Sequence, residues 1–215
     1  MKDLIWKDKE LLVYLNNLGS ETFDSFWFFI TNQFYLTPVF LFIFYLLWKK
    51  IGWKELGFVI LFIALIIMVC DQTTNLFKYS FERPRPVNDL DIKDNLRILV
   101  SRQSFSFFSG HASNSMASTL FLFLIFRKYY KYAFLLFLFP LIFAYSRIYL
   151  GLHFPSDIIA GFVFGGLIGT FFYFVYKKYN SESPEQKKST LIITVFSVLV
   201  YFLMCNVLVS VLKQI

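Results

Sequence analysis

Residues Leu56–Pro86 read LGFVILFIALIIMVCDQTTNLF followed by KYSFERPRP: an apolar run, Leu56–Phe77, that stops on a polar, proline-punctuated stretch, Lys78–Pro86. A transmembrane helix takes about 20 mostly apolar residues, and the first part supplies them. The second part cannot continue as helix, because Pro84 and Pro86 exclude it and hold the chain extended around Arg85. A membrane span that ends in a stiff basic strand is the unit from which the rest of the chain is read. Ionisable groups beside membrane segments are costly, so their placement points to function.

The composition agrees. The chain is 57% hydrophobic, with 30 Phe, 13 Tyr and 4 Trp in 215 residues. Only 16% of residues are charged, against about 25% in soluble domains. A small soluble globule cannot hide that much aromatic surface, whereas lipid accommodates it. Outward from Leu56–Phe77, further spans are expected at Phe23–Trp48, His111–Phe126, Tyr132–Tyr149, Ser156–Tyr176 and Leu191–Leu212. Phe23–Trp48 is interrupted by Thr31-Asn32-Gln33 and Pro38, so it reads as a re-entrant or kinked segment leading into a span. Asp3–Leu18 places Leu4, Leu11, Leu15 and Leu18 on one helical face, an amphipathic helix lying in the interface or packed on protein. Asn180–Lys188 reads as a polar linker. The expected fold class is all-α: an integral membrane bundle of about six transmembrane helices with an N-terminal amphipathic interfacial helix, one domain over residues 1–215.

The net charge of +7 does not point to nucleic acid, because the charges lie between apolar segments. Lys49, Lys50 and Lys54, then Arg127, Lys128 and Lys131, then Lys177, Lys178, Lys187 and Lys188 fall in alternate loops, and Lys/Arg excess marks the cytoplasmic side. The other loops, Lys78–Gly110 and Arg147–Pro155, then share the opposite side. Cys70 and Cys205 lie in apolar runs and read as small core residues, with neither a disulfide nor a metal signal. Asp3, Asp8 and Glu10 spoil any cleavable signal peptide.

Three polar islands share that opposite side. In the first, Lys78 extends from a last helical turn and Arg85 stands on its stiff strand, a point charge and a fork suited to phosphate oxygens. An interfacial basic cluster snorkelling to headgroups is the plain alternative. The second, Ser104–Ser113 (SFSFFSGHAS), opens a span: Ser109 is a good N-cap, Gly110 allows close backbone approach, and the helix N-terminus favours an anion beside His111. The third, Ser146–Asp157 (SRIYLGLHFPSD), sets His153 four residues ahead of Asp157, whose carboxylate can accept from one ring nitrogen and leave the other nitrogen's lone pair as a nucleophile. Asp157 also suits the first turn of a helix for its charge alone. Each island has a bland reading, but together they assemble Lys78, Arg85 and Arg147 as a cationic cage around an oxyanion, a nucleophile and a proton donor. Asp89, Asp91 and Asp94 have no compact metal-site spacing and read as a solvated loop.

Lys78…Arg85-Pro86, Phe108-Ser109-Gly110-His111 and Ser146-Arg147…His153…Asp157 resemble, in order and spacing, the three-part signature of the type 2 phosphatidic acid phosphatase superfamily, over residues 78–157. One departure stands out: Phe108 occupies the position of the signature's proline, which contributes no reacting atom. The resemblance implies a metal-independent, cofactor-free phosphatase acting on a membrane lipid phosphate at the outer face of a bacterial cytoplasmic membrane. It implies His153 as nucleophile through a phosphohistidine, Asp157 as its orienter and His111 as the acid. Lys78, Arg85, Arg147 and the amides around Ser109 and Gly110 would bind the phosphoryl oxygens. Among substrates, a polyprenyl diphosphate such as undecaprenyl diphosphate is the first expectation, with lipid A the close competitor, then phosphatidylglycerol phosphate and phosphatidic acid. Arg97 and Arg102 are candidates for a second phosphate, and Ile98–Val100 with Phe105, Phe107 and Phe108 for lipid chains. Vanadium haloperoxidases share the anion cage but are larger and soluble. A lipid-phosphate binding or transport protein would need the cations but not an oriented imidazole.

Overall fold

A computed structural model of the chain describes residues 2–214, and among these there are helices and no strand. Seven α-helices follow one another: α1 Lys2–Asn17, α2 Glu21–Ile30, α3 Thr37–Phe81, α4 Gly110–Phe126, α5 Leu138–Tyr149, α6 Pro155–Ser181 and α7 Pro184–Leu212. The protein is an all-α membrane bundle. Three helical stretches, Phe34–Asn88, Pro155–Ser181 and Pro184–Leu212, are long and apolar enough to cross a membrane. Ile192, Phe196, Leu203 and Val207 of α7, and Val163, Leu167 and Phe171 of α6, stay more than half exposed. Such a belt is untenable in water and ordinary against lipid.

Several boundaries differ from the expected ones for local reasons. Phe23–Trp48 is not one kinked segment: α2 ends at Ile30, a 3-10 turn covers Gln33–Leu36, and α3 begins afresh at Thr37 with Pro38 in its first turn. Asn32 makes the break, its side-chain oxygen accepting from the Phe34 N–H at 3.1 Å. α3 in turn joins two expected spans and bends between them at Gly52, whose φ of 78° and ψ of 172° suit a residue without Cβ. Asn180–Lys188 is not a linker but mostly helix. Pro184 starts α7, where its missing N–H costs nothing, and Gln186 reaches back to accept from the Ser183 N–H at 3.1 Å.

The bundle is tightest between α4 and α6. Gly161, Gly165 and Gly169 recur every four residues and so share one face of α6. A Cβ added at these positions would lie 2.7 Å from the Ser109 carbonyl oxygen, 2.3 Å from that of Ser113 and 2.4 Å from that of Ala117. The two backbones are in contact, the packing that small residues permit between membrane helices. Around them Phe62, Phe121 and Phe172 fill the core with Tyr176, whose hydroxyl donates to Glu55 at 2.9 Å.

The N-terminal helix is amphipathic in an unexpected sense. Several of its polar groups face the protein, although Asp3, Lys7 and Glu10 stay exposed: Lys9 pairs with Asp89 at 2.8 Å and Asp91 at 2.6 Å, and Asn16 donates to the Tyr149 carbonyl and accepts from the Arg97 N–H, each at 2.7 Å. Leu12 is buried beside them, while Leu4, Leu11, Tyr14 and Leu18 point outward. The helix is both docked on protein and apolar toward its surroundings. Asp89, read as part of a solvated loop, is instead buried by this pairing.

The three clusters of basic residues lie together at one end of the bundle. Lys50 sits over the Tyr130 ring, Lys187 over Tyr179, and Lys128 and Lys177 line one surface pocket with Glu55. The polar islands lie at the other end, beneath the segment 82–109.

Candidate active site

Each island is delivered by a different helix end. Lys78 lies in the last turn of α3. That helix stops at Glu82, which takes a left-handed φ of 47°, and Pro84 and Pro86 hold the continuing chain extended. His111 stands at the N-terminus of α4, where the Ser109 Oγ accepts from the Ala112 N–H at 3.4 Å as the cap. Arg147 lies in the last turn of α5. Gly151, with φ 65°, turns the chain, and His153 follows in the connection to α6. Lys78, Arg85, Arg102, His111, Arg147 and His153 line one cavity of about 350 Å³, with Tyr79, Phe105 and Asn75 on its wall.

Arg85 is the most constrained of the cations. Its Nε donates to the Ser104 carbonyl at 2.9 Å, its Nη2 to the Ser104 Oγ at 2.9 Å, and its Nη1 to the Leu152 carbonyl at 2.9 Å. Burial, then the charge of Arg102, pull its pKa to about 10, so it remains a cation at neutral pH. Arg147 is looser. Its Nη2 donates to the Thr31 carbonyl at 3.4 Å, and its buried Nε has no partner among the described residues. Arg147 lines the cavity, where a guanidinium suits an acceptor such as a phosphoryl oxygen.

The two faces of His153 can be told apart. Arg85 Nη1 lies 3.1 Å from His153 Nε2. A guanidinium has only donors, so Nε2 must accept, and the ring proton belongs on Nδ1. Nδ1 lies 3.5 Å from Asp157 Oδ2, long for a hydrogen bond, and has no closer partner. Burial is the main force on the ring and Arg85 works with it; together they outweigh Asp157 and bring the His153 pKa down to about 4, so the imidazole is neutral in ordinary conditions. The lone pair on Nε2 therefore faces the cations.

Asp157 does double duty. Its Oδ2 accepts from the Phe154 N–H at 2.9 Å, closing the first turn of α6, and the same oxygen faces His153. Its Oδ1 accepts from Arg83 Nη1 at 2.8 Å. Arg83 has no place in the sequence signature and went unread. The one available signal was the doubled Arg-Pro of Arg83–Pro86.

Two expected ligands sit differently. The Ser109 N–H donates to the Asp157 carbonyl at 3.1 Å, so Ser109 ties α4 to α6 and its amide is not free for a phosphate. Gly110 and His111 carry the first helical N–H groups, those an α-helix leaves unpaired. Arg97 is drawn off by Asp24 at 3.0 Å and does not line the cavity, whereas Arg102 does. Phe105 is on the cavity wall. Phe108 is buried, its ring centroid 5.3 Å from that of Phe77 and 5.1 Å from that of Phe164, a hydrophobic wedge beneath the loop. Among the described residues no group of three His, Cys, Asp or Glu side chains is arranged to hold a metal ion.

The sequence pattern of the PAP2 superfamily matches residues 56–181, more than half of the chain. The chain belongs to the PAP2 superfamily. Curated relatives of this PAP2 protein include the lipid A 4'-phosphatase of Bacteroides thetaiotaomicron, 36% identical over 183 residues, covering 81% of this chain and 79% of the relative. The lipid A 4'-phosphatase of Porphyromonas gingivalis is 31% identical over 180 residues, covering 82% and 75%. Among solved structures, the PAP2 type phosphatidylglycerolphosphate phosphatase of Bacillus subtilis superposes with a TM-score of 0.62 at 20% identity, over 84% of this chain and 88% of that one. Aquifex aeolicus LpxE superposes with a TM-score of 0.57 at 23% identity, over 76% and 92%. At those identities the two structures speak to the PAP2 fold alone.

Proposed function

We propose that this PAP2 protein removes a phosphate from lipid A at the outer face of the bacterial cytoplasmic membrane. The observation that carries the chemistry is the convergence of Lys78, Arg85, Arg147, His111 and the Asp157-backed His153 on one cavity. The preference for lipid A over a polyprenyl diphosphate rests on the two lipid A 4'-phosphatases among its relatives. Arg102 on the cavity wall is the remaining cation suited to a second negative group on the same lipid.

In this reading the phosphoryl oxygens take the donors of Lys78, Arg85 and Arg147 and the first amides of α4. Phosphoryl transfer asks mainly for such positioning and charge stabilisation. The phosphate draws Arg85 away from His153 Nε2, and the freed lone pair attacks phosphorus. The Nε2–P bond forms, the P–O bond to the lipid breaks, and His111 gives the leaving oxygen its proton. The Nδ1 proton stays on the ring, facing the Asp157 carboxylate. Water then attacks the phosphohistidine, His111 takes the water's proton, and inorganic phosphate leaves. No step calls for a metal ion.

The purified protein in detergent is expected to release inorganic phosphate from lipid A with EDTA present and to be inhibited by vanadate. Its kcat/KM on lipid A is expected to exceed that on a short soluble phosphate ester by about 10³-fold, since remote lipid contacts orient the reacting group. Equal efficiency on the soluble ester would remove the lipid assignment. Release from undecaprenyl diphosphate but not from lipid A would move the assignment to that substrate.

About six spans, with α3 counted twice across Gly52, give the topology. The basic end then faces the cytoplasm and the cavity faces outward. Leu90, 80% exposed, is an accessible labelling site on the outer loop. Leu90→Cys is expected to react with an impermeant thiol reagent in intact spheroplasts, and Glu185→Cys only after lysis. The reverse pattern would invert the topology.

A further inference from the structure

We infer that Arg83 is a positioning residue that sets the charge on the His153–Asp157 pair, and that α1 supplies Asp8 to hold it there. The inference deepens the reading above, since it concerns the same proposed nucleophile. Arg83 Nη1 donates to Asp157 Oδ1 and to Ser156 Oγ, each at 2.8 Å, and its Nη2 donates to Asp8 Oδ2 at 2.8 Å. Its guanidinium carbon lies 3.8 Å from the centroid of the Phe154 ring. Asp8 also accepts from the Ser156 N–H at 2.9 Å and from its hydroxyl. One guanidinium thus joins the N-terminal helix, the loop after α3 and the first turn of α6, and it does so at the far oxygen of the carboxylate that faces His153.

Asp157 is fully buried. A buried carboxylate with a neutral imidazole as its sole neighbour would attract a proton onto the pair, because an uncompensated charge at depth is costly. The pair with a proton added lacks the free lone pair that phosphoryl transfer requires. Arg83 satisfies the carboxylate from the side away from the cavity, so Asp157 can orient Nδ1–H without protonating the ring. The other charges facing the pair are Lys78 from α3, Arg85 and Arg102 from the loop, His111 from α4 and Arg147 from α5. The three arginines are fixed cations, and the substitutions at Arg83 and Asp8 that test the inference leave all five groups in place. Asp8 offsets part of the Arg83 charge. Removing Arg83 and removing Asp8 therefore break the same tie but change the field at His153 in opposite directions.

The chain contains only 2 histidines, so the pair can be read directly by NMR of histidine-labelled full-length protein in detergent, with His111→Asn used to assign the signals. In Arg83→Gln the midpoint of the His153 signal is expected to rise by about one pH unit or more, the usual effect of losing a charge within contact distance. In Arg83→Lys, which restores the charge, it is expected to stay near the wild-type value. In Asp8→Asn it is expected to hold or fall. The acid limb of kcat/KM for phosphate release is expected to follow the same order. An unmoved midpoint in Arg83→Gln would overturn the inference. So would a rise in Asp8→Asn equal to that in Arg83→Gln, because that would report a loosened, wetter site and not a charge effect. The midpoint is measured without substrate, so inactivity of the wild-type protein on lipid A would sink the substrate reading while leaving this test to stand or fall by itself.

Discussion

His153→Ala is expected to abolish phosphate release, with a loss on the order of 10⁴-fold or more, the scale on which removal of a covalent nucleophile acts. The fold is expected to survive. His153 lies in the connection between α5 and α6, its ring makes no backbone hydrogen bond, and the turn that carries it is held by the Leu152 N–H donating to the Arg147 carbonyl at 2.9 Å. Asp157→Asn is expected to cost roughly a hundredfold less than His153→Ala, since orienting a nucleophile is a smaller contribution than being one. An asparagine can still accept from the Phe154 N–H and so keep the first turn of α6. The measurement is phosphate release under single-turnover conditions by the three proteins at equal, size-exclusion-verified concentration. Acid-labile phosphate on the protein should appear in the wild type and vanish in His153→Ala. Residual activity in His153→Ala within tenfold of the wild type would end the phosphohistidine mechanism and leave direct attack by water.

The polar islands were legible because each is local. Lys78 to Arg85, Ser109 to His111 and Arg147 to Asp157 are short segments whose spacing survives folding, and a proline, a cap residue or a helix end fixes each one. That they share one end of the bundle followed from span counting, since alternate loops must alternate sides. The misread elements depend on partners far away in the chain. Arg83 matters for Asp8, 75 residues away, and Asp157, 74 away. Lys9 buries Asp89 from 80 residues away. Nothing local to Asp3–Leu18 tells which of its faces meets protein, and the docked face proved to carry Asp8, Lys9 and Asn16 beside Leu12. Asn180–Lys188 misleads for a different reason: its polarity is that of a helix leaving the membrane, and Pro184 begins the next helix. The stripe Gly161, Gly165 and Gly169 was fully visible as a spacing of four, the commonest signature of close helix contact in membranes, and went unread beside the louder histidines.

That stripe carries the second large effect. Gly165→Ala is expected to lower the melting temperature in detergent by many degrees and to cut kcat/KM by about 10²-fold, the scale on which a misplacement of about 1 Å in an active site is felt. The added methyl would lie 2.3 Å from the Ser113 carbonyl oxygen and 3.1 Å from the Ala117 nitrogen, both backbone atoms that no rotamer change can move. To reach ordinary contact the helices must part by about an ångström, and overpacking of this kind typically costs about 1–3 kcal/mol or more. The separation is not confined to the packing. α4 begins at the cap that places His111, and α6 carries Asp157 in its first turn; the two are tied where the Ser109 N–H meets the Asp157 carbonyl. Parting them moves the proposed acid away from the proposed nucleophile across the cavity. Gly166→Ala is the internal control. Its added methyl meets nothing nearer than a Leu120 side-chain carbon at 4.0 Å, and alanine favours helix over glycine by about 1 kcal/mol. That variant is expected to be as stable as the wild type or more so, and fully active. If the two adjacent alanine variants behave alike, the backbone contact between α4 and α6 does not set the distance across the site.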